Sequence, residues 1–404
     1  MDNQRLRVCI VGAGPAGLAL AHILQQAKIS FVVLERQQRE ELRAKTKAGL
    51  IEPRVVAALR PFGLDEPILK RGGRNGIAEF RIDGEVFVVD YGRLTQDGKG
   101  HFVYAQNELV ADWAEALSAA GGEIRFGVRV TKVSQDANGV EVRATRDPND
   151  APVTIRADIL VGCDGAGSIV AREAGVATME VSHPFRWLAL IAAVAPSSLR
   201  TVYGLHRRGF SASMRRTSNS TRYYLEVPAG DTVADWPDER VWKELDARMD
   251  APGEAPPARG ELVERDILNL RVRVREPMQK GRIFIAGDAA HLVTPAGAKG
   301  MNMAILDVIE LAAGLCERYG KAGTEYRLAG YTAKRMPEIW RYEEFSNWML
   351  SILHAKHEAR ADGNASAENF AFGLRRSRLD RMINDPLFAR WFAHNWAGST
   401  EQLG

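Results

Sequence analysis

Short apolar runs separated by glycine-containing turns mark the first elements of the chain. The mostly apolar run Leu6–Val11 ends at a glycine, which predicts a buried strand. Apolar residues at helical spacing follow over residues 15–27, and Phe31–Leu34 forms a second apolar run. The order strand, helix, strand predicts a βαβ unit and therefore a parallel sheet.

Two later stretches show a different pattern, in which polar and apolar residues alternate. Residues 79–91 alternate and are interrupted by Asp83-Gly84, a pair typical of a hairpin turn. Residues 183–275 are rich in alternating or β-branched runs, with one predicted helix over Glu239–Met249. These stretches predict a second β-sheet.

The remaining patterns indicate a split first domain with an insert. Arg282–Ala286 is again a buried strand, and helical patterns dominate from Lys299 onward. We predict an α/β fold with a Rossmann-like domain formed by residues 1–75, 98–180 and 277–345. The predicted β-sheet domain comprises residues 76–97 and 181–276, and a helical region covers residues 346–404. One apolar stripe at helical spacing predicts core or dimer packing: Tyr342, Phe345, Trp348, Met349 and Ile352.

Composition narrows the class of protein without identifying it. The chain has 404 residues, of which 46% are hydrophobic and 26% charged, which excludes a disordered or collagen-like chain. A net charge of +3 gives no argument for nucleic-acid binding, and three widely spaced cysteines give no disulfide or zinc motif. No apolar run approaches the roughly 20 residues of a transmembrane helix, and the first residues lack the shape of a signal peptide. We expect a cytoplasmic protein with no membrane partner, no nucleic-acid partner and no bound metal.

The first turn carries a glycine pattern that suits a dinucleotide. Gly12, Gly14 and Gly17 fit G-x-G-x-x-G between the first predicted strand and helix. These glycines permit a tight turn, close approach of a pyrophosphate, and close packing of helix on strand. Glu35 ends the next strand, where a carboxylate accepts hydrogen bonds from ribose hydroxyls. The pattern predicts dinucleotide binding but does not distinguish FAD from NAD.

Two later strand ends add to this pattern. Asp164 follows an apolar strand within Val161–Gly165, and Asp288 follows the strand at 282–286, where its carboxylate can bind a ribityl hydroxyl. Gly297–Asn302 then opens a helix, whose positive end would stabilise negative charge on a reduced flavin. The candidate flavin contacts at this helix start are Gly300, Met301 and Asn302.

The three motifs, in this order and spacing, resemble the FAD-dependent aromatic hydroxylases (group A flavin monooxygenases). Further matching segments, closest to the members that hydroxylate 4-hydroxybenzoate, are Pro184–Leu188, Arg208–Phe210, Arg222–Tyr224, Trp236–Arg240 and Gly297–Gly300. The resemblance covers most of the chain. It implies an FAD-binding first domain, a substrate-binding insert, NADPH or NADH as reductant, O2 as co-substrate, and hydroxylation of a small aromatic carboxylic acid.

The resemblance also assigns roles around the substrate. It makes Arg216 the guanidinium that pairs with the aromatic carboxylate, with the Tyr224 hydroxyl nearby. Tyr203 corresponds to a tyrosine that contacts the ring hydroxyl, and Arg222 to an arginine that contacts the flavin. Pro295 corresponds to a proline whose carbonyl lies beside the reacting ring.

The strand predicted over residues 211–217 orders the side chains near this arginine. Strict alternation puts Met214 on the same face as Arg216, and Ser213 and Arg215 on the other face. The 4-hydroxybenzoate enzymes have a serine where this chain has Met214. The methionine removes a hydroxyl group and adds apolar bulk.

Two further departures concern the internal proton relay of the resembled enzymes. Trp396 stands in the place of a relay tyrosine, and Asn75 in the place of a relay histidine. An indole N–H donates a hydrogen bond but does not accept and pass on a proton, and asparagine does not titrate near neutral pH. The sequence therefore predicts that the path deprotonating a ring hydroxyl through Tyr203 is broken.

Other cofactor positions are assigned by resemblance. Lys45 and Lys47 replace arginines near the pyrophosphate, which keeps the charge but loses the planar fork. Gln106 and Arg36 are also assigned to cofactor binding. Arg36 equally fits a contact with the 2′-phosphate of NADPH or a solvated helix face.

Several functions remain open at this point. A broken relay favours a substrate whose ring depends less on deprotonation by the protein, such as an aminobenzoate or another phenolic acid. A halogenase or a plain oxidase is a second alternative, although the chain has no Trp-x-Trp-x-Ile segment of the halogenase kind. A flavin-binding protein without turnover is a third. We expect a homodimer or a monomer.

Overall fold

The computed structural model describes residues 6–44, 49–95, 97–354 and 365–398. Its strands are β1 (Leu6–Val11), β2 (Phe31–Leu34), β3 (Leu50–Ile51), β4 (Gly73–Asn75), β5 (Ile77–Ile82), β6 (Glu85–Asp90), β7 (His101–Val103), β8 (Ile124–Arg125), β9 (Val128–Gln135), β10 (Val140–Arg146), β11 (Ala151–Gly162), β12 (Ala177–Ala192), β13 (Thr201–His206), β14 (Gly209–Arg215), β15 (Thr221–Val227), β16 (Leu262–Glu276), β17 (Gln279–Lys280), β18 (Ile283–Ile285) and β19 (His291–Leu292). Its helices are α1 (Pro15–Gln26), α2 (Arg39–Ala44), α3 (Pro53–Leu59), α4 (Glu66–Arg71), α5 (Gln106–Ala119), α6 (Ile169–Ala174), α7 (Asp238–Met249), α8 (Gly300–Tyr319), α9 (Tyr326–Ala329), α10 (Tyr331–Leu353), α11 (Ala365–Asn384) and α12 (Pro386–Ala397).

The first sheet is built on the apolar runs that open the chain. Its strand order is β17-β18-β11-β1-β2-β8, with β9 and β10 added as a hairpin on β11. The pairs between β18, β11, β1, β2 and β8 are all parallel. The strands at its centre are apolar because helices cover a parallel sheet and bury its strands. Its core also includes side chains of α1, α5 and α8.

The second sheet comes from the alternating stretches. Its strand order is β19-β16-β12-β15-β14-β13-β5-β6, and its pairs are antiparallel except for β13 with β5. The turn between β5 and β6 is Asp83-Gly84, and both residues have positive φ, at +48° and +77°, as a tight hairpin requires. On one side, α7 closes a core around Tyr223, Trp236 and Trp242.

The carboxyl-terminal helices pack on the other side of this sheet. Tyr342, Phe345, Met349 and Ile352 are fully buried on α10, and Trp348 is half-buried. The predicted apolar stripe is therefore core. A short third sheet has the strand order β3-β7-β4. It brings β3, the strand after α2, close to the carboxyl-terminal helices.

The domain limits predicted from the sequence stay a prediction. The structure shows which strands belong to each sheet. The second sheet contains β5 and β6, then β12 to β16, and also β19, which follows the last strand of the first sheet in the chain.

Among the residues described, no helix combines the length and apolar character that crossing a bilayer requires.

Candidate active site

Three turns that carry sequence motifs meet at the carboxyl edge of the first sheet. β1, β11 and β18 are parallel neighbours, so the turns that follow them emerge side by side. Gly12 has φ +103°, and a Cβ atom there would lie 2.3 Å from the carbonyl oxygen of Cys163. Only glycine lets the first turn approach the second this closely. A Cβ atom on Gly287 would lie 2.9 Å from the Cβ of Ala304, so the third turn packs equally closely on α8.

The start of α1 leaves room for an anion. A Cβ atom on Gly17 would lie 1.9 Å from the carbonyl oxygen of Gly12, which shows how closely α1 packs on the turn. A Cβ atom on Gly14 would meet no atom of the described residues within 4 Å. Within that part of the chain, no side chain caps the helix, which begins at Pro15. Its first amide groups are therefore available to a pyrophosphate.

Glu35 connects the end of β2 to this turn. Its buried carboxylate accepts hydrogen bonds from the backbone N–H groups of Ala13, at 2.8 Å, and Gln37, at 2.9 Å. Glu35, the residue predicted to bind the ribose, thus lies directly beside the glycine turn. The neighbouring Arg36 is exposed, and the predicted cofactor residue Lys47 lies outside the described residues.

The two motif aspartates have different surroundings. Asp164 accepts hydrogen bonds from the Ser168 hydroxyl at 2.6 Å and from the Ile169 N–H at 2.8 Å, so it is occupied by the start of α6, beside the N-cap residue Ser168. Asp288 is half-buried, and its carboxylate forms no hydrogen bond within the described residues. One of its oxygens lies 3.8 Å from where a Cβ atom on Gly300 would be, at the start of α8. Asp288 is the aspartate whose acceptor atoms are free for a cofactor hydroxyl.

The start of α8 presents backbone rather than side-chain groups. The Asn302 side chain accepts a hydrogen bond from the Glu52 N–H at 2.9 Å and donates to the carbonyl oxygens of Leu50, at 3.0 Å, and Ala298, at 2.8 Å. These bonds occupy the side-chain amide. The predicted flavin contacts at Gly300, Met301 and Asn302 are therefore left to the backbone N–H groups of the first helical turn.

A cleft lies where the second sheet faces the first domain. Its lining includes Asn75, Thr201, Met214, Arg216 and Arg222. The buried Nε of Arg216 has no hydrogen-bond partner among the described residues. Burial, and next the positive charge of Arg222, lower the pKa of Arg216. The cleft therefore holds a cation that an anionic ligand would stabilise.

The strand beside this cleft ends earlier than the sequence predicts. β14 ends at Arg215, and the N–H groups of Arg216 and Thr217 bond the carbonyl oxygen of Ser220 in a turn. Strict alternation therefore stops, and both Arg215 and Arg216 line the cleft with Met214. The prediction that Arg215 lies on the opposite face from Arg216 is wrong for this reason.

A buried aromatic cluster, against which the cleft residue Met214 packs, contains two of the predicted catalytic residues, Tyr203 and Trp396. Tyr203 stacks on Phe80 with ring centroids 5.0 Å apart, and its ring lies 6.0 Å from that of Trp396. Arg222 donates to the Tyr224 hydroxyl at 3.1 Å. Burial raises the pKa of Tyr203 above its usual range. These side chains form one packed layer, with Met214 against its edge.

Among the described residues, the lining of the cleft does not include two predicted site residues, Pro295 and Gln106. Pro295 is exposed, and its carbonyl oxygen accepts a hydrogen bond from the Ala298 N–H at 3.1 Å. Gln106 is half-buried at the first position of α5. The roles assigned to both residues stay predictions.

A buried ion pair that no sequence pattern predicts lies near these turns. Lys299 and Glu52 are both fully buried, with Nζ and Oε1 2.6 Å apart. Although burial alone would raise the pKa of Glu52, the charges of Lys299 and Arg54 lower it to about 2. Burial lowers the pKa of Lys299 to about 8, against the opposing effect of Glu52. No local pattern around Glu52 signals this pair, since its partner is far along the chain.

Comparison with known proteins gives the family. Residues 5–346 match the family model described as FAD binding domain. The chain is 34% identical to p-hydroxybenzoate hydroxylase from Acinetobacter baylyi over 401 residues, which cover 98% of this chain and 96% of that protein. The chain therefore belongs to the family of FAD-dependent aromatic hydroxylases.

More distant relatives and solved structures agree with this. Aklavinone 12-hydroxylase from Streptomyces purpurascens is 27% identical over 347 residues, and the match covers 77% of this chain and 62% of that protein. The structure of p-nitrophenol 4-monooxygenase from Pseudomonas putida superposes with a TM-score of 0.78 at 22% identity, covering 97% and 98% of the two chains. The second comparison supports the fold alone.

The residues at the sheet edge fit FAD. The turn at Gly12 and Gly14 leaves space before an uncapped helix, which suits the pyrophosphate. The free carboxylate of Asp288 and the first N–H groups of α8 lie next to each other, which suits the ribityl chain and the flavin ring. The chain is an FAD-dependent monooxygenase of aromatic compounds, as the sequence resemblance implied.

Proposed function

We propose that the protein hydroxylates the ring of a benzoate-type aromatic acid, using NADPH or NADH and O2. The observation that carries this proposal is Arg216, a cation with an unpartnered, buried nitrogen in the cleft. A carboxylate satisfies that nitrogen and neutralises the charge, and guanidinium is suited to bidentate pairing with carboxylate. The 34% identity to p-hydroxybenzoate hydroxylase over nearly the whole chain supports the same substrate class.

Bound FAD would supply the redox chemistry that links the reduced nicotinamide and O2 to hydroxylation of the ring. The chain holds the dinucleotide through Gly12, Gly14 and the start of α1. Asp288 orients the cofactor beside α8. The positive end of α8 stabilises negative charge on the reduced ring.

The cleft fixes the aromatic acid by its two ends. Arg216 binds the carboxylate, and Met214 gives the ring an apolar neighbour in place of a hydroxyl donor. From the resemblance, the Tyr203 hydroxyl would contact the ring substituent, and the Pro295 carbonyl would lie beside the reacting carbon. Because the surrounding aromatic layer is buried, the pocket excludes water from the reacting atoms.

Two candidates remain for the substituent on the substrate ring, a hydroxyl group and an amino group. A phenolic acid such as 4-hydroxybenzoate follows from the relative that is similar over the full chain. An aminobenzoate follows from Trp396 and Asn75, neither of which passes on a proton. A screen of benzoates for stimulated consumption of NADPH and of NADH, with product identification, separates these candidates. Consumption stimulated by no aromatic acid would instead indicate a flavin-binding protein without turnover.

Arg216→Ala is the direct test of the carboxylate site. We expect the KM for the best benzoate to rise by about 100-fold or more, because a buried charged hydrogen bond contributes roughly 3 kcal/mol. Steady-state kinetics of the FAD-loaded enzyme measure it. Arg143→Ala, an exposed arginine on β10, is the matched control and should keep the wild-type KM. An unchanged KM in Arg216→Ala would remove Arg216 from the site.

A further inference from the structure

The lining of the cleft is strongly positive. It includes the side chains of Arg215, Arg216 and Arg222, and none of the described residues that line it is acidic. Arg222 already donates a hydrogen bond to the Tyr224 hydroxyl at 3.1 Å, and the resemblance assigns it to the flavin. The proposed function gives a ligand to Arg216 alone. Arg215 is therefore a cation in the cleft without an assigned partner.

Neither Arg215 nor Arg216 forms an ion pair with the described residues. Nη2 of Arg216 lies 3.5 Å from the side-chain oxygen of Asn107, at the limit of a hydrogen bond, and its buried Nε has no partner in that part of the chain. The guanidinium of Arg215 has no hydrogen-bond partner there either. Glu264 and Glu108 act to raise the pKa of Arg216, but both are exposed and neither lines the cleft.

The two guanidinium groups extend toward different elements. Nη1 of Arg215 lies 3.7 Å from where a Cβ atom on Gly73 of β4 would be. Arg216 instead extends toward Asn107 on α5. A carboxylate pairs best with one guanidinium, through two parallel hydrogen bonds. Two cations directed toward different elements therefore suit two acidic groups better than one.

The charge balance of the cleft leads to the same conclusion. Like charges that lie close together in a partly buried site destabilise one another. Arg222 lowers the pKa of Arg216, so cations in this cleft do act on each other. A ligand with one carboxylate compensates one of these charges and leaves Arg215 uncompensated. A ligand with two carboxylates compensates both.

The uncharged lining leaves the arginines as the main contacts for an acid. The Asn75 side chain donates to the Thr201 hydroxyl at 2.7 Å and accepts from the Ile77 N–H at 3.2 Å, so its polar atoms already have partners. Met214 and Val103 give the cleft an apolar surface. The cleft thus combines apolar contact for a ring with two cations for acidic substituents on that ring.

We propose that the preferred ligand of the cleft is an aromatic diacid, a benzoate whose ring carries a second carboxylate. Arg216 binds one carboxylate and Arg215 the other. The inference rests on the proposed function and narrows its substrate class from benzoates to benzene dicarboxylates. Arg215 is then a specificity-determining residue, because it contacts a group that a simple benzoate lacks.

The test compares ligands with one and two carboxylates on the FAD-loaded protein, without a nicotinamide cofactor. The monoacid is 4-hydroxybenzoate. Its diacid counterparts are 4-hydroxyphthalate, with the second carboxylate beside the first, and 4-hydroxyisophthalate, with the second carboxylate beside the hydroxyl. Changes in flavin absorption give the Kd of each ligand. Arg215→Gln removes the charge and Arg215→Lys keeps it, while Arg143→Gln, on an exposed arginine of β10, is the control.

We expect the wild-type protein to bind one of the diacids about tenfold more tightly than 4-hydroxybenzoate, as one additional charge-assisted hydrogen bond implies. Arg215→Gln should lose this preference and keep the wild-type Kd for 4-hydroxybenzoate. Arg215→Lys should retain most of the preference, and Arg143→Gln all of it. Because the Arg215 guanidinium has no partner among the described residues, its removal leaves none of them unpaired, so Arg215→Gln should fold as wild type does.

A phosphate of the nicotinamide cofactor is the other source of an anion for Arg215, and kinetics separate the two. If Arg215→Gln raises the KM for NADPH but not for NADH, and leaves diacid binding unchanged, Arg215 binds the cofactor phosphate and this inference is overturned.

Two further negative results have different meanings. Equal affinity of the wild-type protein for the monoacid and both diacids, or a diacid preference that persists in Arg215→Gln, overturns this inference and leaves the proposed function intact. If none of the three acids perturbs the flavin of the wild-type protein, the benzoate cleft itself is wrong, and the inference fails with it.

Discussion

At the scale of single residues, the site is organised by buried groups whose charge state depends on their neighbours. Glu52 stays ionised because two cations face it, whereas Lys299 titrates near neutrality because one carboxylate only partly offsets its burial. Glu343 on α10 is the opposite case. Both of its carboxyl oxygens are buried without a hydrogen-bond partner among the described residues. Burial raises the pKa of Glu343 to about 8, with His291 opposing the change.

Glu343 makes stability depend on pH in a predictable direction. A carboxyl group whose pKa is raised by folding binds its proton more tightly in the folded state. The contribution of Glu343 to the free energy of unfolding therefore falls as pH rises from about 4.5 to about 8, by roughly 1.4 kcal/mol per pH unit, and is constant above that range. Glu343→Gln should remove this slope, so its advantage over wild type should grow up to pH 8 in urea titrations.

The neighbouring Glu344→Gln provides the comparison, because Glu344 is exposed on the same helix. Its stability should follow the wild-type pH dependence throughout. A constant difference between Glu343→Gln and wild type at all pH values would show that Glu343 is ionised in the folded protein.

At the scale of elements, the cofactor site depends on how closely one helix approaches one turn. The Cβ atom that alanine adds at Gly17 would overlap the carbonyl oxygen of Gly12, a backbone atom that a rotamer change does not move. The start of α1 would have to shift away from β1. Since this helix start is where the pyrophosphate is expected to bind, the shift acts on affinity as well as stability.

Gly17→Ala should weaken FAD binding by on the order of tenfold or more, about 1.4 kcal/mol, measured by quenching of FAD fluorescence. Gly373→Ala on α11 is the matched control, since a Cβ atom there meets nothing within 4 Å among the described residues. The control should bind FAD as wild type does. Equal affinity in both variants would show that the helix start does not contact the cofactor.

At the scale of the whole molecule, one buried charge cluster joins distant segments. Glu52 precedes α3 and binds Lys299, which precedes α8 and donates to the carbonyl oxygen of Trp396 on α12. Arg54 also binds Glu52, and reaches α10 through Glu338. The cluster therefore links both sheets' helical layers through a few charge-assisted hydrogen bonds.

Glu52→Gln should destabilise the protein by about 3–5 kcal/mol, because it leaves buried cations without their partner. The pKa of Glu52 is lowered to about 2, so its contribution is present above about pH 4.5 and is lost as pH falls toward 2. Thermal unfolding of wild type and variant at pH 7 and pH 3 measures both effects. The control Glu141→Gln removes a half-buried surface carboxylate that also has two arginine partners, both exposed, and should leave Tm unchanged. Equal Tm values for Glu52→Gln and wild type at pH 7 would contradict the role of the cluster.

The sequence predicted the features that depend on residues close to one another in the chain. The turn at Gly12–Gly17 and the strand end at Glu35 depend on residues close in the chain, and the family match confirms the FAD domain that they imply. The prediction for Arg215 was wrong because a turn ends β14 before alternation can continue. The assignment of catalytic and substrate roles to Tyr203, Pro295 and Arg216 stays a prediction.

Features that depend on distant contacts were not predictable in the same way. Tyr91, His101 and Trp396 meet because the hairpin of the second sheet, β7 and α12 pack together. Nothing in the residues around His101 indicates burial beside a carbonyl oxygen from a helix near residue 396. Asn302 is a similar case, since its motif suggests a cofactor contact while its side chain holds the segment at Leu50 and Glu52.

The hydrogen bonds to the carbonyl oxygen of Trp396 affect how the chain folds during its synthesis. Lys299, which also pairs with Glu52, and His101 both approach this acceptor, which is translated long after the glycine turn of the cofactor site. A nascent chain emerging from the ribosome can form the amino-terminal βαβ unit early, yet it leaves the ammonium group without its final acceptor until α12 has been made. Maturation of the enzyme should therefore end with the docking of that helix.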